Sequence, residues 1–363
     1  MISLEWVSDY IDISGLDYHE LAKKITEAGI NIEKVITNKI DNLVIGEVTK
    51  CESIPNTHLH VCLVDIKTEK LQIVCGAPNV REQMKVIVAK DGAILPGGIE
   101  IKKSVIHNTE SNGMLCALFE LGLEEKNEST IAQGIYEVPN TAQVGAPAIK
   151  SLNLLSTVYE LDIHKHRNND CYYHIGFAYE IASILNKKVT LPSVNYKEVE
   201  DDVNNHIKLN VKTTRCPYYL GKIATNVKVK ESPDFIKKRL HAVGMRSINN
   251  VVDISNYVML EFGQPLHFFD KDLLGDNVIV RDATEHEELT TLDNTKRVLN
   301  NSDIVIANNA GPVCIAGVMG GLNTEVTTNT KNIFIESAIF DSVSIRNTAQ
   351  KLNLKSEASI RYG

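Results

Sequence analysis

The sequence predicts a multidomain α+β chain in which a small β-barrel is inserted into a helical domain and a mixed α/β domain follows. The length of 363 residues corresponds to two or three domains. Short runs rich in Val and Ile begin within residues 41–150, and helical periodicity lies on both sides of that segment. Strand-like and helical runs then alternate through residues 201–363.

Composition and charge exclude several classes of protein. The chain is 43% hydrophobic and 23% charged, as globular proteins are, and no apolar run approaches the roughly 18–20 residues of a membrane span. The first residues are acidic where a signal peptide is basic, and the seven cysteines include no CxxC pair. We therefore expect a cytoplasmic protein with reduced thiols. The net charge of −8 argues against binding of nucleic acid by bulk charge, although residues 201–363 are neutral.

The first 40 residues are predicted to form a helical hairpin. Apolar residues recur at helical spacing from Leu4 to Val7 and beyond. A second helix is expected to begin near Asp17, because Glu20 follows three residues later as in a capping box.

Residues 41–150 are predicted to form a five-stranded barrel of the oligonucleotide-binding (OB) type, although other small barrels share its periodicity. Pro and Gly separate the expected strands, which are LVIGEV (43–48), VCLVDI (61–66), LQIVCG (71–76) and KVIVAK (85–90).

The segment after the barrel returns to the first domain. A strand, TVYELDI (157–163), is followed by an amphipathic helix, HIGFAYEIASILNK, so residues 1–40 and 151–200 are expected to form one discontinuous domain. The polar stretch 196–206 is predicted to be a linker. Residues 201–363 form the third predicted domain, with a helix at PDFIKKRLHAVG (233–244), another beginning near Ser342, and strands at residues 207–211, 219–224, 278–283, 303–308, 313–320 and 332–340.

One long motif indicates a family. The stretch GMRSINNVVDISNYVMLEFGQPLHFFDKDLL (244–274) closely resembles a signature of the β subunit of bacterial phenylalanyl-tRNA synthetase, within the domain that edits mischarged tRNA. Further matches follow the family's order along the chain: QIVCGAPNV (72–80), KDGAILPGGIEIKKSVIHNTESNGMLC (90–116), GVMGG (317–321), FIESAIF (334–340) and SEASIRYG (356–363).

The resemblance implies an N-terminal part of a longer subunit, with the third domain incomplete at its C-terminus. The implied partners are tRNA(Phe) and an α subunit, in an α2β2 heterotetramer, with no membrane. The full enzyme uses ATP and magnesium at sites outside this chain, so we expect no cofactor here and no aminoacylation. The activity implied for this part is hydrolysis of Tyr-tRNA(Phe), an activated ester that needs a positioned water and polar groups for the oxyanion but no metal.

The resemblance also implies an editing pocket. His267 matches the family histidine that orients water or the terminal ribose, and Ser255 and Asn256 match the pair beside it. Glu336 matches the glutamate that accepts a hydrogen bond from the tyrosine hydroxyl, a contact that phenylalanine cannot make. Gly320 matches a glycine that admits the amino acid. A wall of small residues corresponds to Ser356 and Ala358.

Each of these residues also has a purely structural interpretation. His267 is then a core histidine, Asn256 and Ser356 are helix caps, Gly320 belongs to a tight turn, and Glu336 belongs to an ion pair.

Contacts to tRNA are expected from two basic groups, Lys237, Lys238, Arg239 and Arg246 near the third domain's first helix, and Lys102 and Lys103 in the barrel. The alternatives are a solvated helix face and a barrel that serves only to pack the assembled enzyme.

One segment departs from the family pattern. The sequence HKHRNNDC (164–171) places His164, His166, Cys171 and His174 close together, but their spacing matches no zinc motif, so we predict no metal site. Two alternatives to an editing fragment stay open at this point. In the first, the chain is a non-catalytic tRNA-binding and assembly module. In the second, it is a shortened stand-alone paralogue.

Overall fold

The computed structural model describes residues 1–38, 40–124, 126–152, 154, 156–164, 167–354 and 356. The chain begins with β1 (Ile2–Ser3), α1 (Leu4–Val7), α2 (Tyr18–Glu27) and β2 (Asn31–Thr37). The Asp17 carboxylate accepts the backbone N–H of His19 at 2.8 Å and of Glu20 at 3.0 Å, which confirms the predicted helix start.

The predicted helical hairpin is wrong. Its first helix is a single turn, and residues after α2 form the strand β2. Helical periodicity did not reveal this strand, because its partner in the sheet lies about 120 residues further along the chain.

The barrel segment contains the four predicted strands and several short ones. Its elements are β3 (Leu43–Ser53), β4 (His60–Asp65), β5 (Lys70–Cys75), β6 (Lys85–Ala89), β7 (Ile94–Leu95), β8 (Ile99–Glu100), β9 (Ser104–Ile106), β10 (Thr109–Ser111), β11 (Met114–Leu115), α3 (Glu128–Gln133) and α4 (Ala148–Ser151). Five strands form an antiparallel sheet in the order β11-β6-β3-β4-β5. The N–H of Asn112 donates to the carbonyl of Gln72 on β5 at 2.8 Å, so the two edges approach each other and the sheet nearly closes.

Residues from before and after the barrel share one sheet and one core. The elements that follow are β12 (Thr157–Asp162), α5 (Asn168–Cys171) and α6 (His174–Leu185), and β12 lies between β1 and β2. The core beneath this sheet contains Trp6, Ile25, Tyr159 and Phe177, all fully buried. Residues 196–206 are almost entirely exposed and contain only a 3₁₀ turn at Val203–Asn205.

The remaining residues that the structure describes, up to Leu354, form two main sheets and three longer helices. Their elements are β13 (Lys208–Val211), β14 (Tyr218–Ala224), α7 (Asp234–Ala242), α8 (Asn250–Phe262), β15 (Leu266–Asp270), α9 (Lys271–Leu274), β16 (Asn277–Asp282), β17 (Glu287–Thr290), β18 (Lys296–Leu299), β19 (Ile304–Ala307), β20 (Pro312–Ile315), β21 (Met319–Gly320), β22 (Ile333–Ile339) and α10 (Ser342–Lys351). The strand orders are β13-β16-β19-β20-β21 and β14-β22-β15, with a separate β17-β18 hairpin. Phe269, Ile306 and Phe334 lie in the core that these sheets share.

The architecture is therefore mixed α and β with a nearly closed, barrel-like sheet, as the fold class predicted in its coarse form. The boundaries of the three domains stay predictions. Within the described ranges, no helix has the length and apolar character that a membrane crossing requires.

Candidate functional site

Helix α8 positions one wall of the candidate site. Asn249 caps it by accepting the N–H groups of Val251 and Val252, each at 3.0 Å, and Gly263 ends it with a φ of 76°. The fully buried Asp253 accepts the hydroxyls of Ser232 and Ser247, each at 2.5 Å. These bonds hold the segments that contain Ser232 and Ser247 against the first turn of the helix.

Strands β15 and β22 form the floor. Their antiparallel register places His267 directly opposite Glu336, so the two side chains lie on the same face of the sheet. Because β14 pairs with the other edge of β22, Tyr219 also approaches this face, and its hydroxyl donates to Oε2 of Glu336 at 2.9 Å.

A cavity of about 330 Å³ opens between α8, β15 and the segment after β21. Most of its wall is apolar, with polar contributions from a few side chains. The lining residues are Ile248, Asn249, Val251, Val252, Ser255, His267, Phe268, Leu292, Gly321, Thr324, Glu325 and Val326.

His267 contributes an imidazole ring to the wall of this cavity. Burial lowers the pKa of its imidazole to about 4, so the ring is neutral at pH 7. Phe269 packs edge-on against the ring at a centroid distance of 4.4 Å. A Cβ on Gly320 would lie 2.5 Å from Cε1 of His267, so only glycine leaves room for the ring in this position. Among the described residues, neither ring nitrogen of His267 has a hydrogen-bond partner.

Glu336 is buried beside His267 and is not among the residues that line the cavity. Burial raises the pKa of its carboxyl to about 8, and the Tyr219 hydroxyl opposes this shift only in part. Glu336 is therefore mostly protonated at pH 7. Burial and the neighbouring Glu336 together raise the pKa of Tyr219 well above its usual value.

The other predicted pocket residues take different places. Ser255 lines the cavity and donates its hydroxyl to the carbonyl of Leu266 at 2.7 Å. Asn256, one residue further along α8, does not line it. Gly320 lies next to the His267 ring and does not itself line the cavity, whereas its neighbour Gly321 does. Ser356 is partly buried, and Ala358 lies outside the described residues.

Two of the expected tRNA-binding cations are partly buried and form ion pairs within the protein. Lys237 pairs with Glu231 at 2.7 Å and with Asp234 at 3.1 Å. Arg239 pairs with Asp9, donates to the Tyr257 hydroxyl, and lies 5.2 Å from the centroid of the Trp6 ring. These contacts join α7 to the first residues of the chain.

The remaining expected cations are exposed. Lys238 has no partner among the described residues, whereas Lys102 pairs with Glu100 at 2.8 Å. Lys103 and Arg246 are likewise exposed.

The His/Cys cluster near residue 170 is structural where it is described. The carbonyl of Arg167 accepts the buried Cys171 thiol at 3.2 Å. His174 accepts the N–H of Ser3 through Nε2 at 3.1 Å and bonds the carbonyl of Leu260 through Nδ1 at 2.7 Å, while His166 lies outside the described residues. In the part of the chain that the structure covers, no three His, Cys, Asp or Glu side chains are grouped to hold a metal ion.

Sequence reasoning missed several residues that line the cavity, including Asn249, Leu292, Thr324 and Glu325. Asn249 lay inside the recognised motif, where an Asn before a helix is a cap signal. Leu292 and the residues after Gly321 carried no local signal, because only the tertiary fold brings them to α8.

Comparison with known proteins places this geometry in a family. Residues 215–363, which contain the cavity, match the model of the B3/4 domain, and residues 43–147, which contain the barrel, match that of a putative tRNA binding domain. The chain therefore combines a segment similar to a putative tRNA binding domain with a segment similar to a B3/4 domain.

The particular family follows from the relatives. The chain is 44% identical over 369 residues to the phenylalanine–tRNA ligase β subunit of Geobacillus kaustophilus and 45% identical over 369 residues to that of Staphylococcus aureus, and in each case all of the chain and 46% of the relative are covered. The chain belongs to the phenylalanine–tRNA ligase β-subunit family and spans about half the length of these relatives. A solved N-terminal fragment of the phenylalanyl-tRNA synthetase β subunit from Pyrococcus horikoshii shares 16% identity over 55% of this chain and 61% of that one, with a TM-score of 0.30, too small a likeness to support a conclusion.

Proposed function

We propose that this chain hydrolyses the ester of tyrosine mischarged onto tRNA(Phe) and has no aminoacylation site of its own. The observation that carries the proposal is the mainly apolar cavity beside His267, within the residues that match the B3/4 domain. The imidazole is neutral at pH 7 and has no hydrogen-bond partner among the described residues. A cavity of about 330 Å³ suits an amino-acid side chain together with its ester group.

The chain's own groups suit a water-mediated mechanism. With a pKa of about 4, His267 is a weak base, so it would orient water by accepting a hydrogen bond rather than remove its proton outright. Ser255 holds its hydroxyl against the carbonyl of Leu266, which leaves its oxygen lone pairs for the ribose or the water. The capped start of α8, which borders the cavity, would favour the developing oxyanion.

Glu336 would provide selection for tyrosine. Tyr219 holds Oε2 of the carboxyl, and Oε1 is left for the substrate hydroxyl. Because Glu336 is buried and does not line the cavity, this contact requires neighbouring side chains to move when substrate binds. Phenylalanine would leave the buried carboxyl without that partner, and an unpaired buried polar group is unfavourable.

The deacylation assay tests this proposal. We expect the 363-residue chain to hydrolyse Tyr-tRNA(Phe) faster than buffer does, and His267→Ala to reduce the rate at least about tenfold. Glu336→Ala, which removes the carboxyl, should reduce the preference for Tyr-tRNA(Phe) over Phe-tRNA(Phe). Glu288→Gln, an exposed carboxylate that does not line the cavity, serves as control. Equal background rates for all four proteins would reject hydrolysis by this chain.

We propose further that tRNA(Phe) binds through the barrel and the exposed cations, in a cytoplasmic α2β2 assembly with an α subunit. ATP and magnesium would act elsewhere in that assembly. Lys238→Ala and Lys103→Ala should each weaken tRNA binding and reduce its dependence on salt, since each variant removes one potential phosphate contact. A gel-shift titration at two salt concentrations measures both effects.

The alternative function is a tRNA-binding and assembly module without chemistry. The match of residues 43–147 to a putative tRNA binding domain favours it. Retained tRNA binding by His267→Ala together with background deacylation by the unaltered chain would select this alternative.

A further inference from the structure

The polar side chains of the cavity differ in how fully the fold uses them. Ser255 donates its hydroxyl to a backbone carbonyl, and Thr324 donates its hydroxyl to the carbonyl of Val313 at 3.5 Å. Asn249 uses its side-chain oxygen to cap α8. Two lining side chains keep all their hydrogen-bonding capacity among the described residues, namely the imidazole of His267 and the carboxylate of Glu325.

Glu325 is the charged member of this pair. It follows the 3₁₀ turn Leu322–Thr324, and its backbone N–H donates to the carbonyl of Leu322 at 3.3 Å. Its exposed side chain has no ion pair or hydrogen bond with any described residue. Among the described residues, neither Arg nor Lys lines the cavity, so this part of the chain offers one anionic group beside a mainly apolar wall.

This combination is complementary to a ligand with an apolar body and one positive charge. An amino acid in ester linkage has that form, because its carboxylate is consumed in the ester while its α-ammonium group remains. We infer that Glu325 binds the α-ammonium group of the aminoacyl moiety while the apolar wall holds its side chain. The assignment rests on the proposed function. The ion pair with Glu325 orients the ester relative to His267.

Binding of small probes tests the assignment independently of hydrolysis. L-Tyrosine amide carries the α-ammonium group and an uncharged carboxamide, and 3-(4-hydroxyphenyl)propionamide is the same molecule without the amine. By calorimetry, the 363-residue chain should bind the tyrosine amide about fivefold more tightly, the ratio expected of a solvent-accessible ion pair. Glu325→Gln should reduce this ratio to about one. Glu285→Gln, which removes an exposed carboxylate outside the cavity, should leave the ratio unchanged.

The outcomes separate the two claims. Glu325→Gln with an unchanged ratio, or failure of the unaltered chain to bind either probe, overturns the assignment. A ratio that depends on Glu325 supports it, even where Tyr-tRNA(Phe) is not hydrolysed, in which case the proposed deacylation alone fails. As a second readout, Tyr-tRNA(Phe) and its analogue with an α-hydroxyl in place of the amine are compared as substrates. Glu325→Gln should raise KM for the first and leave KM for the second unchanged.

Discussion

At the scale of single residues, the site depends on how burial changes protonation. His267 and Glu336 are directly paired on adjacent strands, and burial favours the neutral form of both side chains. A neutral imidazole can accept a hydrogen bond from water, and a protonated carboxyl can sit in an apolar interior without an ion pair. The sequence contains both residues but not their burial, so these protonation states could not be predicted from it.

The protonation of Glu336 predicts how stability depends on pH. Because the folded-state pKa of about 8 lies above the unfolded value of about 4.5, the folded state binds the extra proton between these values. Stability from this group is complete below about pH 4.5 and is lost as pH rises toward 8, at no more than about 1.4 kcal/mol per pH unit.

Urea unfolding of the unaltered chain and of Glu336→Gln between pH 5 and pH 9 measures this effect. The variant should gain stability relative to the unaltered chain as pH rises, and the gain should level off above about pH 8. Parallel pH profiles for the two proteins would contradict the raised pKa.

The contact between Gly320 and His267 predicts a coupled effect of substitution. Gly320→Ala places a methyl group 2.5 Å from Cε1 of the imidazole, so we expect a loss of about 1–3 kcal/mol in the free energy of unfolding. In the His267→Ala background the same substitution should be better tolerated, because the ring that it contacts is gone. A double-mutant cycle by chemical denaturation measures the coupling, and additive effects would show that the ring does not occupy this position.

At the scale of elements, α8 connects the cavity to the core. Its first half lines the cavity. Its last turn contacts the N-terminal unit, the sheet and core formed by β1 to β2 with β12 and α6, through the Leu260 carbonyl and the Glu261 carboxylate. The motif that contains α8 was the strongest signal in the sequence. Its helical structure was nevertheless not predicted, because family resemblance identifies residues without describing their backbone.

The start of α8 is predicted to be sensitive to loss of Asp253. Asp253→Ala leaves two hydroxyls and the N–H of Ile248 without their acceptor in a buried place, so unfolding should become easier by about 2–4 kcal/mol. Asp234→Ala, which alters a highly exposed carboxylate in the first turn of α7, should change stability by less than about 0.5 kcal/mol. Chemical denaturation compares the two, and equal effects would contradict the role of Asp253.

At the scale of the whole molecule, the N-terminal unit is packed against α7 and α8. Trp6 stacks on His174 at a centroid distance of 4.0 Å, the Tyr10 hydroxyl donates to Glu261, and Arg239 pairs with Asp9. Residues more than 200 positions apart therefore share one interface. Arg239, expected from the sequence to meet tRNA, is committed to this interface in the structure.

Substitutions of two neighbouring cations should separate a packing contact from an exposed side chain. Arg239→Ala loses contacts to Asp9, Tyr257 and Trp6, and we expect a loss of about 1–3 kcal/mol in stability. Lys238→Ala should leave stability within about 0.5 kcal/mol, because Lys238 is exposed and has no partner among the described residues. Thermal unfolding and hydrogen exchange in α1 and α7 report the difference. Unaltered exchange in Arg239→Ala would show that this contact contributes little.

The sequence by itself determined the family, the strands of the barrel, the start of α2, and His267 and Ser255 as residues of one cavity. These features depend on local periodicity, caps and a long motif, all of which are readable along the chain. Only the tertiary structure decided that β2 is a strand, that Glu336 bonds Tyr219 and does not line the cavity, and that Glu325 does line it. Each of these depends on partners distant in sequence, and burial and pairing across such distances leave no local pattern.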